Sequence, residues 1–555
     1  MYQEALGQTV NRTFDYTCDE GGDREALVYH GPDVEERLSY FQLRRRVAAL
    51  TDGLQQAGVR KGDRVAFLLG VTTEWVTVFY AAMRLGAIAV PLNLVWTARE
   101  IEEGLSLTEA NVLIATDSFR GRNYLHELQE HLPGLNASKP GELSIETLPH
   151  LRSVIAESRS GQRYAFAGDL GDIARSGENY SAEGFAALSA EVRPDDFSIM
   201  LLTSGTTSFP KPVLHTHQSL MVGVAGYADG IETESADKML IVAPNYHVAG
   251  YLTLLMPHLR GAAVHLMEFY DVGLALKVIE RERISMMFGF DVHYLMMNRH
   301  PHFAMHDISS LTKTMIGSSP GSYDEIKSMG ITHHGNIYGS SEYVASQAYL
   351  PYRDRHDESV MRLSHGRPML GTDLVIKDPA TNRVLGPDQP GEICFKGPAL
   401  FSGYYNMPEE TAKSFDTDGY FHSGDYGWVD QRGYVYYRGR FKETIKSGGE
   451  NVSAQEVELF LQMELPWILK AMVVAVPDPK WGEAVTAVVQ LKPEVDVDEE
   501  GIREACRGKL AGYKIPKHVI FVSDEDWVAT PTGKFDRDAM TSLALRRMEI
   551  QEPSQ

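Results

Sequence analysis

Thr203-Ser204-Gly205-Thr206-Thr207-Ser208-Phe209-Pro210-Lys211 gathers hydroxyl side chains, one glycine and one lysine in a single short turn, directly after the apolar run Ile199-Met200-Leu201-Leu202. An apolar run that ends in small polar residues predicts a buried strand delivering a loop to a cleft. Gly205 has no side chain to keep a ligand away from the backbone. The hydroxyls and backbone N–H groups can then wrap phosphate oxygens while Lys211 supplies charge. The spacing is not that of the G-x-x-x-x-G-K-[ST] loop, since both the glycine spacing and the lysine position differ. The competing reading is a polar surface turn, and the rest of the chain decides between them.

Before this loop, Ser39 is placed to cap a helix carrying Leu43, Val47, Leu50 and Leu54 at helical spacing. Val65–Leu69 reads as a strand, Trp75 to Leu85 as a helix, and Ala87–Asn93 and Val112–Ala115 as further strands. That alternation predicts α/β layering around a largely parallel sheet. Between 117 and 196 the pattern weakens and predicts surface loops and helices. Past the loop, Ile241–Ala243 runs into Pro244-Asn245-Tyr246-His247 and a helix from Val248 to Leu259, while Met286–Phe288 and Thr314–Gly317 are strand-to-loop junctions. In such sheets ligands collect at the carboxyl ends of strands, where these polar loops fall. Val384 to Arg440 predicts a β-type subdomain with Gly-rich turns, and beyond Phe441 the α/β pattern returns in a small α+β unit. The expected division is an N-terminal domain over 1–440 and a C-terminal domain over 441–555.

Length and composition limit the choices. A chain of 555 residues exceeds one core. With 53 Lys and Arg against 75 Asp and Glu, the net charge of −22 argues against a nucleic-acid partner and an anionic membrane surface. Cys18, Cys394 and Cys506 are too few and too scattered for a disulfide framework or a structural zinc site. No signal-like N-terminus and no apolar span of about 20 residues is present, so the expectation is a cytoplasmic protein without stable membrane insertion. Oligomeric state stays open, a dimer being one option.

The polar motifs, taken in order, resemble those of the adenylate-forming enzymes: acyl-CoA synthetases, adenylation domains and luciferases. They are Leu85-Gly86-Ala87 through Pro91-Leu92-Asn93, the Thr203–Lys211 turn, Pro244–His247, Tyr338-Gly339-Ser340-Ser341-Glu342, Gly391-Glu392-Ile393 and Gly403-Tyr404-Tyr405-Asn406. Tyr420–Asp425, Arg438–Lys442, Ser447-Gly448-Gly449-Glu450-Asn451 and Pro531-Thr532-Gly533-Lys534 follow. The resemblance is strongest to acyl-CoA synthetases and covers nearly the whole chain. It implies attack of a carboxylate on the α-phosphorus of ATP, where two anions must be neutralised and aligned. It implies ATP, Mg²⁺ and coenzyme A, with a carrier-protein pantetheine arm as the alternative acceptor.

By the same resemblance, Thr203, Ser204, Gly205, Thr206, Thr207 and Lys211 form the triphosphate cradle. Tyr338 stacks on adenine within Gly339-Ser340-Ser341, Glu342 holds Mg²⁺, Asp425 takes the ribose hydroxyls and Arg440 reinforces ribose or phosphate contacts. Lys534, His247 and Thr206 belong to the reacting centre, and Lys442 is the hinge on which a mobile C-terminal domain over 441–555 turns. Gly448 and Gly449 line a pantetheine tunnel, with Trp481 and Lys517 on the CoA side, although both read equally as domain-surface residues. The acyl pocket takes His247, Gly250, Asp291, Gly317 and Gly335, with Gly250 leaving room for a wide acid. Capping the following helix is the favoured alternative for Asp291. No aspartate near His247 awaits an α-ammonium, which counts against amino-acid substrates. Ser208 and Pro212 stand where the family usually has glycine. His293, His300, His302 and His306 read as solvated surface rather than a metal site.

Overall fold

The computed structural model describes every residue except 1–4, 33, 204–209, 318–322, 332, 345, 442–443, 448–449, 530–534 and 552–555. It is a mixed α/β protein with a large N-terminal and a small C-terminal domain. Among the described residues, one sheet of the large domain carries eight strands. Its order is Gly403–Tyr404, Pro212–Thr216, Phe197–Leu202, Ile88–Pro91, Arg64–Leu68, Val112–Thr116, Ser153–Glu157 and Ala167–Asp169. The second carries nine, with His334–Tyr338, Lys313–Gly317, Met286–Phe290, Lys238–Ile241, Ala263–Leu266 and Glu25–His30 adjacent and parallel. A four-stranded antiparallel sheet follows: Asp373–Lys377, Gly391–Lys396, Phe421–Val429 and Val435–Arg440.

Local rules account for several boundaries. Ser39 caps the helix Tyr40–Gln56 in a full capping box, its side chain accepting from Gln42 N–H and the Gln42 side chain returning to Ser39 N–H. The helix Val248–Leu259 has the bounds its apolar pattern predicts. The weakly patterned stretch 117–196 departs from expectation: Ser153–Glu157 and Ala167–Asp169 extend the eight-stranded sheet. Ser153–Glu157 is buried along its whole length, so no apolar–polar alternation marks it as a strand.

The C-terminal sheet shows the opposite pattern. Ala471, Val473, Val485 and Val489 face the helices Ala454–Glu464 and Glu499–Cys506, while Met472, Val474, Val476 and Val488 face Met540 and Ala544 of the last helix. Alternation along the strands thus gives this domain a core on each face, each fully buried aliphatic side chain contributing about 1.5–3 kcal/mol.

Six buried imidazoles set the acid sensitivity of the fold. Burial pushes His215, His217, His258 and His293 down to about 4, and His265 and His365 to about 3. As pH falls from about 6.5 toward 4, an unfolded chain binds protons there that the native chain refuses, so stability declines with falling pH. Below that window the native imidazoles protonate too and the slope flattens. The midpoint of thermal unfolding should therefore fall steadily between pH 6.5 and 4.5. A flat midpoint over this range would show that these rings are not held neutral.

Candidate active site

Strand Phe197–Leu202 pairs antiparallel with Pro212–Thr216, Leu202 opposite Pro212, as the two arms of a hairpin. Its neck is closed by Thr203 N–H to Lys211 O at 3.1 Å and Lys211 N–H to Thr203 Oγ1 at 3.0 Å. Ser204, Gly205, Thr206 and Thr207 lie outside the described residues. Pro212 starts the return strand, and its carbonyl accepts from Tyr405 N–H at 2.9 Å. That bond anchors Gly403-Tyr404 as a third strand beside the hairpin.

Lys211 Nζ lies 4.8 Å from the centre of the Tyr404 ring and 3.2 Å from Glu410 Oε2. Tyr404 also donates its hydroxyl to Glu342 Oε1 at 2.9 Å. Burial, then the Glu342 carboxylate, raises the Tyr404 phenol above its ordinary value, so it remains a donor. Tyr404 therefore joins the hairpin lysine to Glu342. Its motif is legible in the sequence, but its role as a bridge is not.

The second half of the site forms where the nine-stranded sheet meets the four-stranded one. Tyr338 ends its strand and donates to Asp425 Oδ2 at 2.6 Å, and Arg440 Nε lies 3.2 Å from Asp425 Oδ1. Asp425 and Arg440 face each other across paired strands. Tyr338 is only 4% exposed and stacks on Tyr437 at 5.3 Å. Burial, then Asp425, raises its phenol well above the ordinary value and keeps it protonated. Gly339 is exposed, Ser340 Oγ accepts from Gln347 Nε2 at 2.7 Å, and Ser341 O accepts from the buried His215 Nε2 at 2.7 Å. His215 belongs to the hairpin's return strand, so this bond ties the Tyr338–Glu342 loop to the hairpin. Tyr437 and His215 carry no motif signature that sequence alone could flag.

The expected acyl-pocket residues divide. His247 precedes the helix Val248–Leu259, with its ring 4.8 Å from that of Tyr246. Gly250 does not open space for a ligand, because a Cβ there would lie 2.6 Å from Pro244 O and 2.8 Å from Asn245 Cα. The helix needs glycine to pass its own entry segment, which Asn245 pins through a 2.8 Å bond to Leu69 O. Gly335 is likewise filled, a Cβ there falling 2.5 Å from Leu350 Cβ.

Gly317 ends its strand opposite Phe290. Asp291 opens the helix Asp291–Asn298 and accepts from Val292 N–H at 2.9 Å, but it is not the expected cap: that position falls to Phe290, whose N–H is taken by His293 Nδ1. His293 departs from the surface reading: it is buried, and its Nδ1 accepts from Phe290 N–H at 3.0 Å. His302 is exposed, and His306 pairs with Glu280 at 2.7 Å.

On the small domain, Trp481 and Lys517 come together although 36 positions separate them. Lys517 Nζ lies 4.9 Å from the Trp481 ring centre and Lys480 Nζ 4.8 Å from it. Burial, then Lys480, lowers the Lys517 ammonium from its ordinary value. Lys442, Gly448, Gly449 and Lys534 lie outside the described residues. No helix among those described is long and apolar enough to cross a membrane.

The chain is similar to feruloyl-CoA synthase of Amycolatopsis sp. (32% identical over 498 residues, 89% of this chain and 91% of the relative). It is also similar to the long-chain-fatty-acid–CoA ligase FadD13 of Mycobacterium tuberculosis (30% over 516 residues, 91% and 93%). The crystal structure of ATP-bound MatB from Rhodopseudomonas palustris superposes with a TM-score of 0.80 at 25% identity, covering 97% of this chain and 99% of that one. The family model for AMP-binding enzymes matches residues 14–405 and that for the AMP-binding enzyme C-terminal domain residues 456–534. The chain belongs to the AMP-binding enzyme family, whose relatives are acyl-CoA synthetases and ligases.

Proposed function

We propose that this protein is an ATP-dependent carboxylic acid–CoA ligase, acting through an acyl-AMP on a fatty, aryl or bulky polycyclic acid. The observation that carries this reading is the grouping of Asp425, Tyr338 and Arg440 at one strand end, tied through His215 to the Thr203–Lys211 hairpin. A carboxylate accepting two donors is suited to a vicinal diol, and a hairpin of hydroxyls ending in lysine is suited to a polyphosphate. Relatives named for feruloyl and long-chain fatty acids support the range of acids.

In this proposal Thr203, Ser204, Gly205, Thr206, Thr207 and Lys211 hold the triphosphate, and Tyr338 with Gly339, Ser340 and Ser341 frames the adenine. Glu342, a hard oxygen donor held by Tyr404 beside Lys211, would bind Mg²⁺, which supplies charge neutralisation at the phosphates. His247 stands beside the acyl carboxylate, and Lys534 bridges the two reacting anions. Trp481 and Lys517 serve the CoA side, Gly448 and Gly449 the thiol's path, and Lys442 is the hinge between domains over 1–440 and 441–555. The three cysteines are free and buried, which suits the reducing cytoplasm to which we assign the protein.

Trapping the adenylate with hydroxylamine across a panel of fatty, aryl and polycyclic acids tests the reading. At least one acid should give hydroxamate with acid-dependent pyrophosphate release, and should give thioester with free CoA. A panel without any acid-dependent pyrophosphate would overturn the adenylation step. Thioester formed only on a carrier protein would overturn the choice of acceptor.

A further inference from the structure

The antiparallel sheet beside the candidate site carries a group of side chains that the ligase reading leaves unused. Cys394 and Glu392 lie on strand Gly391–Lys396, and His422 faces Cys394 from strand Phe421–Val429. Their donor atoms converge within 4.8 Å of one another. Cys394 Sγ is 3.6 Å from His422 Nδ1, and Glu392 Oε2 is 2.8 Å from the same nitrogen. Zinc bonds of about 2.3 Å to sulfur and 2.0 Å to nitrogen put two donors of a tetrahedral site about 3.6 Å apart. The Cys–His pair thus already has the required spacing, and the 2.8 Å between Glu392 Oε2 and His422 Nδ1 is about half an ångström short of that for two donors at about 2.0 Å.

The surroundings complete the argument. His422 Nε2 faces Asp416 Oδ2 at 3.4 Å, the carboxylate–histidine arrangement that orients a metal-binding imidazole. Asp416 is fixed in turn by the buried Lys377 ammonium and by the N–H groups of Asp418 and Tyr420 at 2.9 and 3.0 Å. Lys377 is neutralised by Asp416, which leaves Glu392 and a Cys394 thiolate to balance a divalent ion. Two other carboxylate–histidine groups occur near Glu25, His30 and Glu282. There Arg37 bonds Glu25 and Glu282 directly, and Lys238 lies 3.9 Å from both, so a cation is opposed.

We propose that Glu392, Cys394 and His422 form a binding site for a thiophilic divalent cation of the Zn²⁺ class, with Asp416 orienting His422. Binding replaces the Cys394 S–H bond with an S–metal bond and releases that proton to solvent. Where His422 Nδ1 carries a proton, that one leaves as well. His422 is the most exposed of the three ligands and gives the group its access to solvent.

Cobalt(II) titration of the chelator-treated full chain, without nucleotide or Mg²⁺, tests this and is independent of ligase activity. One equivalent of Co²⁺ should give a thiolate-to-cobalt charge-transfer band in the near ultraviolet, displaced by Zn²⁺. Cys394→Ser should abolish the band with the thermal midpoint retained. His422→Gln, at a partly exposed position, should weaken binding at least tenfold, and Asp416→Asn about tenfold. The band should survive Cys18→Ser and Cys506→Ser. Absence of the band in the unaltered chain, or its persistence in Cys394→Ser, would overturn the site.

Discussion

Lys534→Ala is expected to lower acid-dependent pyrophosphate release by about 10²–10³-fold, the scale on which one preorganised charge contact in a transition state acts. A carboxylate and a phosphate of like charge must meet, and an ammonium between them gains most as the new bond forms. Lys534 sits in a Pro-Thr-Gly-Lys stretch whose flanking residues Ala529 and Phe535 pair across it, with Phe535 packed on Trp527 at 5.0 Å. That anchor keeps the substitution from spreading into the domain core, so the thermal midpoint should stay within about a degree or two. Thioester formation from a supplied acyl adenylate and CoA should persist, because that step starts after the two anions have joined. Pyrophosphate release at the unaltered rate would remove Lys534 from the reaction.

Asp425→Ala is expected to weaken ATP binding by about 10²-fold or more, each charge-assisted hydrogen bond lost contributing about 1.5–3 kcal/mol. The same change removes the acceptor of the buried Tyr338 hydroxyl and the ion-pair partner of Arg440. A buried phenol left without its acceptor costs about 1–3 kcal/mol, so the thermal midpoint should fall as well. Asp425→Asn keeps one carbonyl oxygen and should be intermediate in both measurements. Calorimetric titration with ATP separates the two effects. Binding within threefold of the unaltered chain would place the ribose elsewhere.

What the sequence by itself determined is mostly local. The Ser39 cap, the bounds of the helix Val248–Leu259 and the order of the polar motifs follow from neighbouring residues, and each was readable along the chain. Asp425, Tyr338 and Arg440 could be singled out through the family resemblance of their motifs. Their mutual contacts could not, because residues 338 and 425 meet only once two separate sheets dock. Only the tertiary structure decided what occupies the space beside a glycine. Gly250 and Gly335 look alike in sequence to glycines that admit a ligand, yet backbone at Pro244–Asn245 and the Leu350 side chain fill those spaces. Burial of His293 and of strand Ser153–Glu157 was hidden for the same reason. Periodicity reports which face of an element is covered when only one is, and it falls silent where neighbours distant in sequence cover every side.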